Sequence, residues 1–180
     1  MPISFSDMHY YFSLFFYYYE VIRLHKQVCS IFGHRKIKET RELRSQLYTC
    51  MEDLILNKGV DTFLFGSKSR FNDLCYEIVS ELKEKHPNIK RVYVRAEFPE
   101  ISDSYHAYPL ERYEDTYFPE KLLHAGKAVY VERNFEMIRK SRYCLVYYDE
   151  SAAPTKRKSG TKIALSYAKT QEKTILLFPE

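Results

Sequence analysis

The chain has 180 residues, of which 45% are hydrophobic and 29% are charged, and its net charge at pH 7 is +4. This length and composition fit one globular domain with a sizeable core, and they exclude a low-complexity or repeat protein. The charge is too small and too dispersed for a dedicated nucleic-acid-binding protein, which makes nucleic acid an unfavoured partner, but it allows an anionic small molecule.

The four cysteines are spaced singly along the chain, without any CxxC pair, at Cys29, Cys50, Cys75 and Cys144. This spacing is typical of buried, reduced thiols and does not indicate a disulfide framework or a zinc site. We therefore expect a cytoplasmic protein with no metal and no cofactor.

Residues 1–24 form an N-terminal extension that is dense in aromatic residues, HYYFSLFFYYYEVI. Its apolar run is shorter than the roughly 20 residues of a membrane-spanning helix, and it lacks the features of a signal peptide, so no membrane partner is expected. One interpretation is a disordered or partner-binding segment, or a membrane-surface helix. We favour a start-site artefact, because codons for 20–23 can read GAG-GTG-ATT-AGA, a ribosome-binding site, and Leu24 can be the start codon TTG. The native protein would then begin at Leu24, and its domain would cover 25–180.

Short apolar runs alternate with longer amphipathic patterns along the rest of the chain. Strands are predicted at Val28–Phe32, Val60–Gly66, Ile89–Phe98, Tyr143–Asp149 and Lys173–Phe178, and helices at 39–59, 71–87, 131–141 and 160–171. The section 99–125 is irregular and is predicted to be loop with a short helix. Strand–helix alternation with short connections predicts an α/β domain, with a doubly wound, mainly parallel sheet and helices on both faces.

Glycine, hydroxyl and basic residues recur at four predicted strand ends or helix starts. These are Gly33-His34-Arg35, Gly66-Ser67-Lys68-Ser69-Arg70, Glu132-Arg133-Asn134 and Lys158-Ser159-Gly160-Thr161. The first turn of a helix carries unpaired N–H groups and a positive dipole end, both of which favour an anion, and arginine binds phosphate well. Since ligands of doubly wound sheets bind beyond the carboxyl ends of the strands, we expect a phosphorylated ligand there. The first strand would end on Gly33 because that ligand comes close.

Tyrosines are concentrated in the irregular section, at Tyr105, Tyr108, Tyr113 and Tyr117. They could stack on a base or ribose from a loop over the site, or they could pack into the core and surface. The sequence contains no Ser-His-Asp order, no HExxH and no Walker A pattern, so no catalytic group is predicted from the residues alone.

Five stretches of the sequence resemble one family when they are taken together. They are CSIFGHRKI, VDTFLFGSKSRFNDLCYEIVSELKEKHPNIKRVYVRAEFP, YEDTYFPEKLLHAGKAVYVERNFEMI, SRYCLVYYDES and KSGTKIALSYAKTQEKTILLF. From Val28 to Phe178 the chain resembles the YpsA-like group of the SLOG superfamily, found in Firmicutes and their phages. The resemblance implies a Rossmann-like fold, related to the DNA-processing protein DprA and to the LOG cytokinin-activating enzymes, and a nucleotide or nucleotide-derived ligand. Its ligand-facing positions would be Gly33, His34, Arg35, Gly66, Ser67, Arg133, Asn134, Ser159, Gly160 and Thr161.

The sequence departs from the LOG motif PGGxGTxxE where catalysis would occur. Aligned on Gly160-Thr161, the paired glycines are Arg157 and Lys158, and the catalytic glutamate is Ala164, which cannot act as an acid or base. An acidic residue common in the closer group is replaced by Asn72.

Three functions follow from these observations. We expect a regulatory or sensor domain that binds its ligand without reaction. The first alternative is a phosphoribohydrolase that cleaves the N-glycosidic bond of nucleoside monophosphates, for which Glu132 is the candidate catalytic residue. The second is DprA-like single-stranded DNA binding. A homodimer is expected by analogy with related folds.

Overall fold

The computed structural model describes residues 27–96, 111–151 and 159–179. The extension predicted at 1–24 and the tyrosines Tyr105 and Tyr108 lie outside these ranges.

Strands and helices alternate along the described chain as the sequence predicts. The strands are β1 (Gln27–Gly33), β2 (Val60–Phe65), β3 (Lys90–Val94), β4 (Asp115–Tyr117), β5 (Tyr143–Tyr147) and β6 (Thr174–Phe178), and the helices are α1 (Arg41–Leu56), α2 (Arg70–Lys85), α3 (Val129–Lys140) and α4 (Gly160–Thr170). The six strands form one sheet in the order β4-β3-β2-β1-β5-β6, and every neighbouring pair is parallel. The predicted α/β fold with a Rossmann-like parallel sheet is confirmed.

Both faces of the sheet are covered, because side chains of a strand alternate between them. On β1, Cys29 and Ile31 belong to the larger core cluster, which also contains the inward residues of α1 and α2. Phe32 faces the opposite side and packs with residues of α3 and α4. No helix in the described ranges is both long and apolar enough to cross a lipid bilayer.

The section predicted as loop contains a short sixth strand, β4, which that prediction missed. It pairs with the outer edge of β3, where Val92 lies opposite Asp115 and Val94 opposite Tyr117. Two 3₁₀ turns, Glu120–His124 and Gly126–Ala128, then lead into α3. A run of three partly exposed residues carries no periodic pattern, so tertiary pairing alone creates this strand.

Glu114, the residue before β4, fastens that strand to the rest of the sheet. Its Oε2 accepts hydrogen bonds from the Arg91 backbone N–H at 2.7 Å and from Arg91 Nε at 3.1 Å. The same guanidinium donates to Ser80 Oγ on α2 at 2.7 Å. Burial alone would raise the pKa of Glu114, but the hydrogen bonds from Arg91 outweigh it, so the pKa is lowered from its ordinary value of 4.5.

We expect Glu114→Gln to make stability less sensitive to acid. Because the pKa of Glu114 is lower in the folded state, its ionised form contributes fully at neutral pH, and this contribution is lost as the pH falls from about 5 toward 3. Urea unfolding at a series of pH values should give a shallower acid loss of unfolding free energy for the variant than for the wild type. Glu111→Gln, at an exposed carboxylate of the same segment, is the control. An unchanged slope for Glu114→Gln would contradict this role.

Candidate functional site

The order of the strands changes direction at β1. The strands β2, β3 and β4 lie on one side of it, and β5 and β6 lie on the other side. From β1 the chain crosses through α1 to β2 on one side, whereas β5 continues through α4 to β6 on the other side and the other face. The helices α1 and α4, which follow β1 and β5 in the chain, therefore lie on opposite faces. In sheets of this type such a switch point leaves a crevice beyond the carboxyl ends of the two strands, which is where ligands bind.

His34 spans this crevice at its base. The ladder between the two strands ends where Gly33 lies opposite Tyr147. Beyond it, the His34 ring is 9% exposed, its Nε2 lies 3.1 Å from the backbone oxygen of Asp149, and its centroid lies 5.3 Å from that of Tyr148. The imidazole therefore joins the two strand ends where backbone pairing stops.

Gly33 is required by a neighbouring side chain of the protein itself. A Cβ atom at this position would lie 2.5 Å from Phe71 Cδ1 and 2.8 Å from Phe71 Cβ. The backbone N–H of Arg70 also donates to the backbone oxygen of Arg35 at 3.1 Å, so the start of α2 is attached to the loop after β1. Gly33 was expected to be a glycine because a ligand approaches it, whereas in the structure it is Phe71 that leaves no space for a side chain.

Arg133, expected to meet phosphate, is buried in the structure. Its side chain is 2% exposed, Nη1 donates to the backbone oxygen of Val94 at 3.2 Å, and Nε donates to Asn134 Oδ1 at 3.0 Å. A Cβ at Gly66 would lie 2.8 Å from Arg133 Cδ, Nε and Cζ. Gly66, Arg133 and Asn134 are thus brought into one cluster, in which the arginine connects the N-terminal half of α3 to the ends of β2 and β3.

The loop after β2 is held by its own hydrogen bonds. Ser69 caps α2 and accepts from the backbone N–H of Asn72 at 3.2 Å, and Ser67 Oγ lies 3.1 Å from Ser69 Oγ. The buried Asn72 side chain also donates to Ser69 Oγ at 3.2 Å and accepts from the backbone N–H of Ser67 at 3.5 Å. From the sequence, Asn72 was noted only because it replaces an acidic residue that is common in the similar family. Its position three residues after a serine cap is the pattern that could have revealed this role.

The start of α4 is more open than the start of α2. Ser159 caps it by accepting from the backbone N–H of Lys162 at 3.1 Å. Gly160 is exposed, and a Cβ there would meet no atom of the described residues within 4 Å. Ala164, at the position of the LOG glutamate, is 1% exposed and packs in the core. The helix therefore presents its first turn, but no carboxylate at that position.

Two further predicted residues lie at the same edge. Arg35 follows His34 and its side chain is exposed, and Glu132 lies half-buried in the first turn of α3. Both α3 and α4 run from the carboxyl edge of the sheet to the opposite edge, because each leads into a parallel strand. The predicted residues therefore occupy three positions: the end of β1, the Gly66–Arg133 cluster and the start of α4.

The two described tyrosines of the irregular section are packed. The Tyr113 ring lies 5.0 Å from that of Tyr76 and 5.3 Å from that of Tyr93, centroid to centroid. Tyr117 packs against the core beneath α3, and Lys140 Nζ lies 4.2 Å from its ring centroid. The packing interpretation therefore holds for these two residues.

A groove of about 530 Å³ lies elsewhere, between α1 and the edge strand β6. Its lining includes Asp53 and Cys50 from the helix and Leu176–Phe178 from the strand. The charged residue among these is a carboxylate, which would repel an anionic ligand. We therefore place the candidate site at the carboxyl edge of the sheet and not in this groove.

Comparison with models of known protein families gave no match, and a search of curated proteins found no similar sequence. The resemblance to the SLOG superfamily therefore stays a proposal.

We expect Gly33→Ala to lower the free energy of unfolding by roughly 1–3 kcal/mol, because the added methyl group overlaps Phe71. Gly160→Ala, where the methyl group enters open space at a helix start, should change it by less than about 1 kcal/mol. Urea denaturation measures both variants. Equal effects would show that Phe71 does not constrain Gly33.

The Gly66–Arg133 contact predicts coupled mutational effects. Gly66→Ala should cost roughly 1–3 kcal/mol of unfolding free energy in the wild type, because Arg133 has to move from the backbone oxygen of Val94. The cost should shrink in an Arg133→Ala background, with a coupling energy of about 0.5–3 kcal/mol in a double-mutant cycle. The cycle of Gly33→Ala with Arg133→Ala is the control and should be additive, since Gly33 contacts Phe71. Additivity in both cycles would disprove the coupling.

Proposed function

We propose that this protein is a regulatory domain that binds a nucleotide or a nucleotide-derived ligand at the carboxyl edge of its sheet. The observation that carries the proposal is the divergence of the chain beyond β1 and β5, with an exposed arginine after one strand and an open helix start after the other. Such a crevice receives ligands in doubly wound sheets, and a helix start favours the anionic end of the ligand.

The predicted residues differ in whether they are accessible to a ligand or hydrogen-bonded within the protein, and we propose different roles for the two groups. Arg35 and the Ser159–Thr161 turn are accessible, so these are the groups we propose for the phosphate. Arg133 and Ser67 have partners within the protein, and we propose that they keep the edge in shape for the ligand. A preorganised edge reduces the entropy lost on binding.

The resemblance to the SLOG superfamily supports the same function, and the buried Ala164 argues against the LOG type of hydrolysis. We also propose a cytoplasmic location. All four cysteines are free thiols in the structure, and three of them are buried. Free thiols are typical of proteins from reducing compartments.

Thermal denaturation with nucleotides, cyclic dinucleotides and NAD-derived compounds tests the proposal on the full chain. We expect at least one compound to raise the melting temperature, by about 3–6 °C at roughly ten times its Kd. Arg35→Ala should lose most of this rise. Lys58→Ala removes the same charge at an exposed position on the opposite edge of the sheet and should keep it.

The fate of the bound compound separates the alternatives. Recovery of the intact compound by chromatography supports a binding domain. Release of free base, abolished by Glu132→Gln, would replace the proposal with a phosphoribohydrolase. Salt-dependent binding of an oligonucleotide, without response to any nucleotide, would favour single-stranded DNA instead.

A further inference from the structure

A second buried arginine, Arg95, lies at the same edge and was not among the predicted site residues. It follows β3 directly, and its backbone N–H donates to the backbone oxygen of Tyr117 at 2.9 Å, which fixes its position in the ladder. The residue is 7% exposed. The Nε and Nη1 atoms are both buried and have no hydrogen-bond partner among the residues that the structure describes.

Such an arrangement is costly for a cation. A guanidinium group is charged in proteins and has five N–H donors, and buried charges are almost always paired. Leaving donors of a buried charge unsatisfied destabilises the folded state. A residue that lowers stability in this way, at the edge of the sheet where ligands bind, indicates that its hydrogen-bond acceptor belongs to a ligand.

The two arginines on and just after β3, Arg91 and Arg95, differ in their hydrogen-bond partners. Alternation along the strand puts Arg91, Tyr93 and Arg95 on the face of α2, and Val94 on the face of α3. Arg91 is paired with Glu114, as described above. Arg133 approaches the end of the strand from the other face and donates to the backbone oxygen of Val94.

We propose that Arg95 binds an oxyanion, a phosphate or a carboxylate group, at the carboxyl end of β3. This inference rests on the proposed function and extends the site from the crevice beside β1 across the end of β2 to β3. Since Nε and Nη1 are shielded from solvent, the atoms that cover them move when the oxyanion binds. The ligand therefore has an anionic group that reaches beyond the β1–β5 crevice.

Arg95→Met in the full chain tests this assignment with inorganic probes. Melting temperatures are measured with sodium chloride alone, and with phosphate, pyrophosphate or citrate at the same ionic strength. Wild type should gain about 3–6 °C with at least one oxyanion at roughly ten times its Kd. Arg95→Met should lose this gain, and in chloride alone it should melt about 2–4 °C above wild type, because an unpartnered buried charge has been removed.

Arg91→Met is the matched control, since it removes a paired guanidinium from the same strand and the same face. It should melt below wild type in chloride and still respond to the oxyanion. A response to phosphate or pyrophosphate alone assigns a phosphoryl group, and a response to citrate alone assigns a carboxylate.

Three results would overturn the inference: a lower melting temperature of Arg95→Met in chloride, an undiminished oxyanion response in that variant, or no response of wild type to any oxyanion. The nucleotide screen separates this outcome from failure of the proposed function. Nucleotides that stabilise Arg95→Met as much as wild type would remove Arg95 from the site and leave the binding domain intact.

Discussion

The position of β1 is the constraint on which the candidate site depends. This strand pairs with β2 on one edge and β5 on the other, and its alternating side chains enter the cores on both faces. β1 therefore has a strand on each edge and packed helices on each face. The chain leaves this packing at Gly33 and His34, at the carboxyl end of the strand. The location of the crevice therefore depends on the pairing of β1 with β2 and β5. This pairing also determines where the loops that follow these strands begin.

Buried arginines organise the edge around this crevice in two ways. Arg133 donates a hydrogen bond to the backbone oxygen of Val94 and leaves no space for a side chain at Gly66. It therefore connects α3 to the sheet. Arg95 carries buried donors that have no hydrogen-bond partner in the described part of the chain. The same residue type thus stabilises the fold at one position and, in our account, serves the ligand at the other.

Much of the fold could be predicted from local pattern, because apolar runs of five or six residues and amphipathic runs of more than ten are distinct signals. The strand order is set by pairing between distant segments, which no local pattern encodes. The three residues of β4 were missed for this reason, since the hydrogen bonds between Glu114 and Arg91 hold that strand.

The candidate site could be predicted only as a set of positions. Residues that follow parallel strands must gather at one edge, so the location of Gly33 and Gly66 at that edge could be predicted from the sequence. Whether a side chain there turns outward or inward depends on its neighbours. Arg133 was expected to face a ligand and is buried, and the sequence analysis assigned no role to Arg95, which is also buried.

The most direct test of the account is a map of backbone amide chemical shifts in the isotopically labelled full chain, titrated with AMP, ADP-ribose and cyclic di-AMP. If the ligand binds at the carboxyl edge, a compound that binds should shift the amides at Gly33–Arg35 and at Ser159–Thr161 together, with smaller changes around Tyr148. Shifts confined to the groove between α1 and β6, or to the opposite edge of the sheet, would contradict a ligand site at the carboxyl ends of the strands.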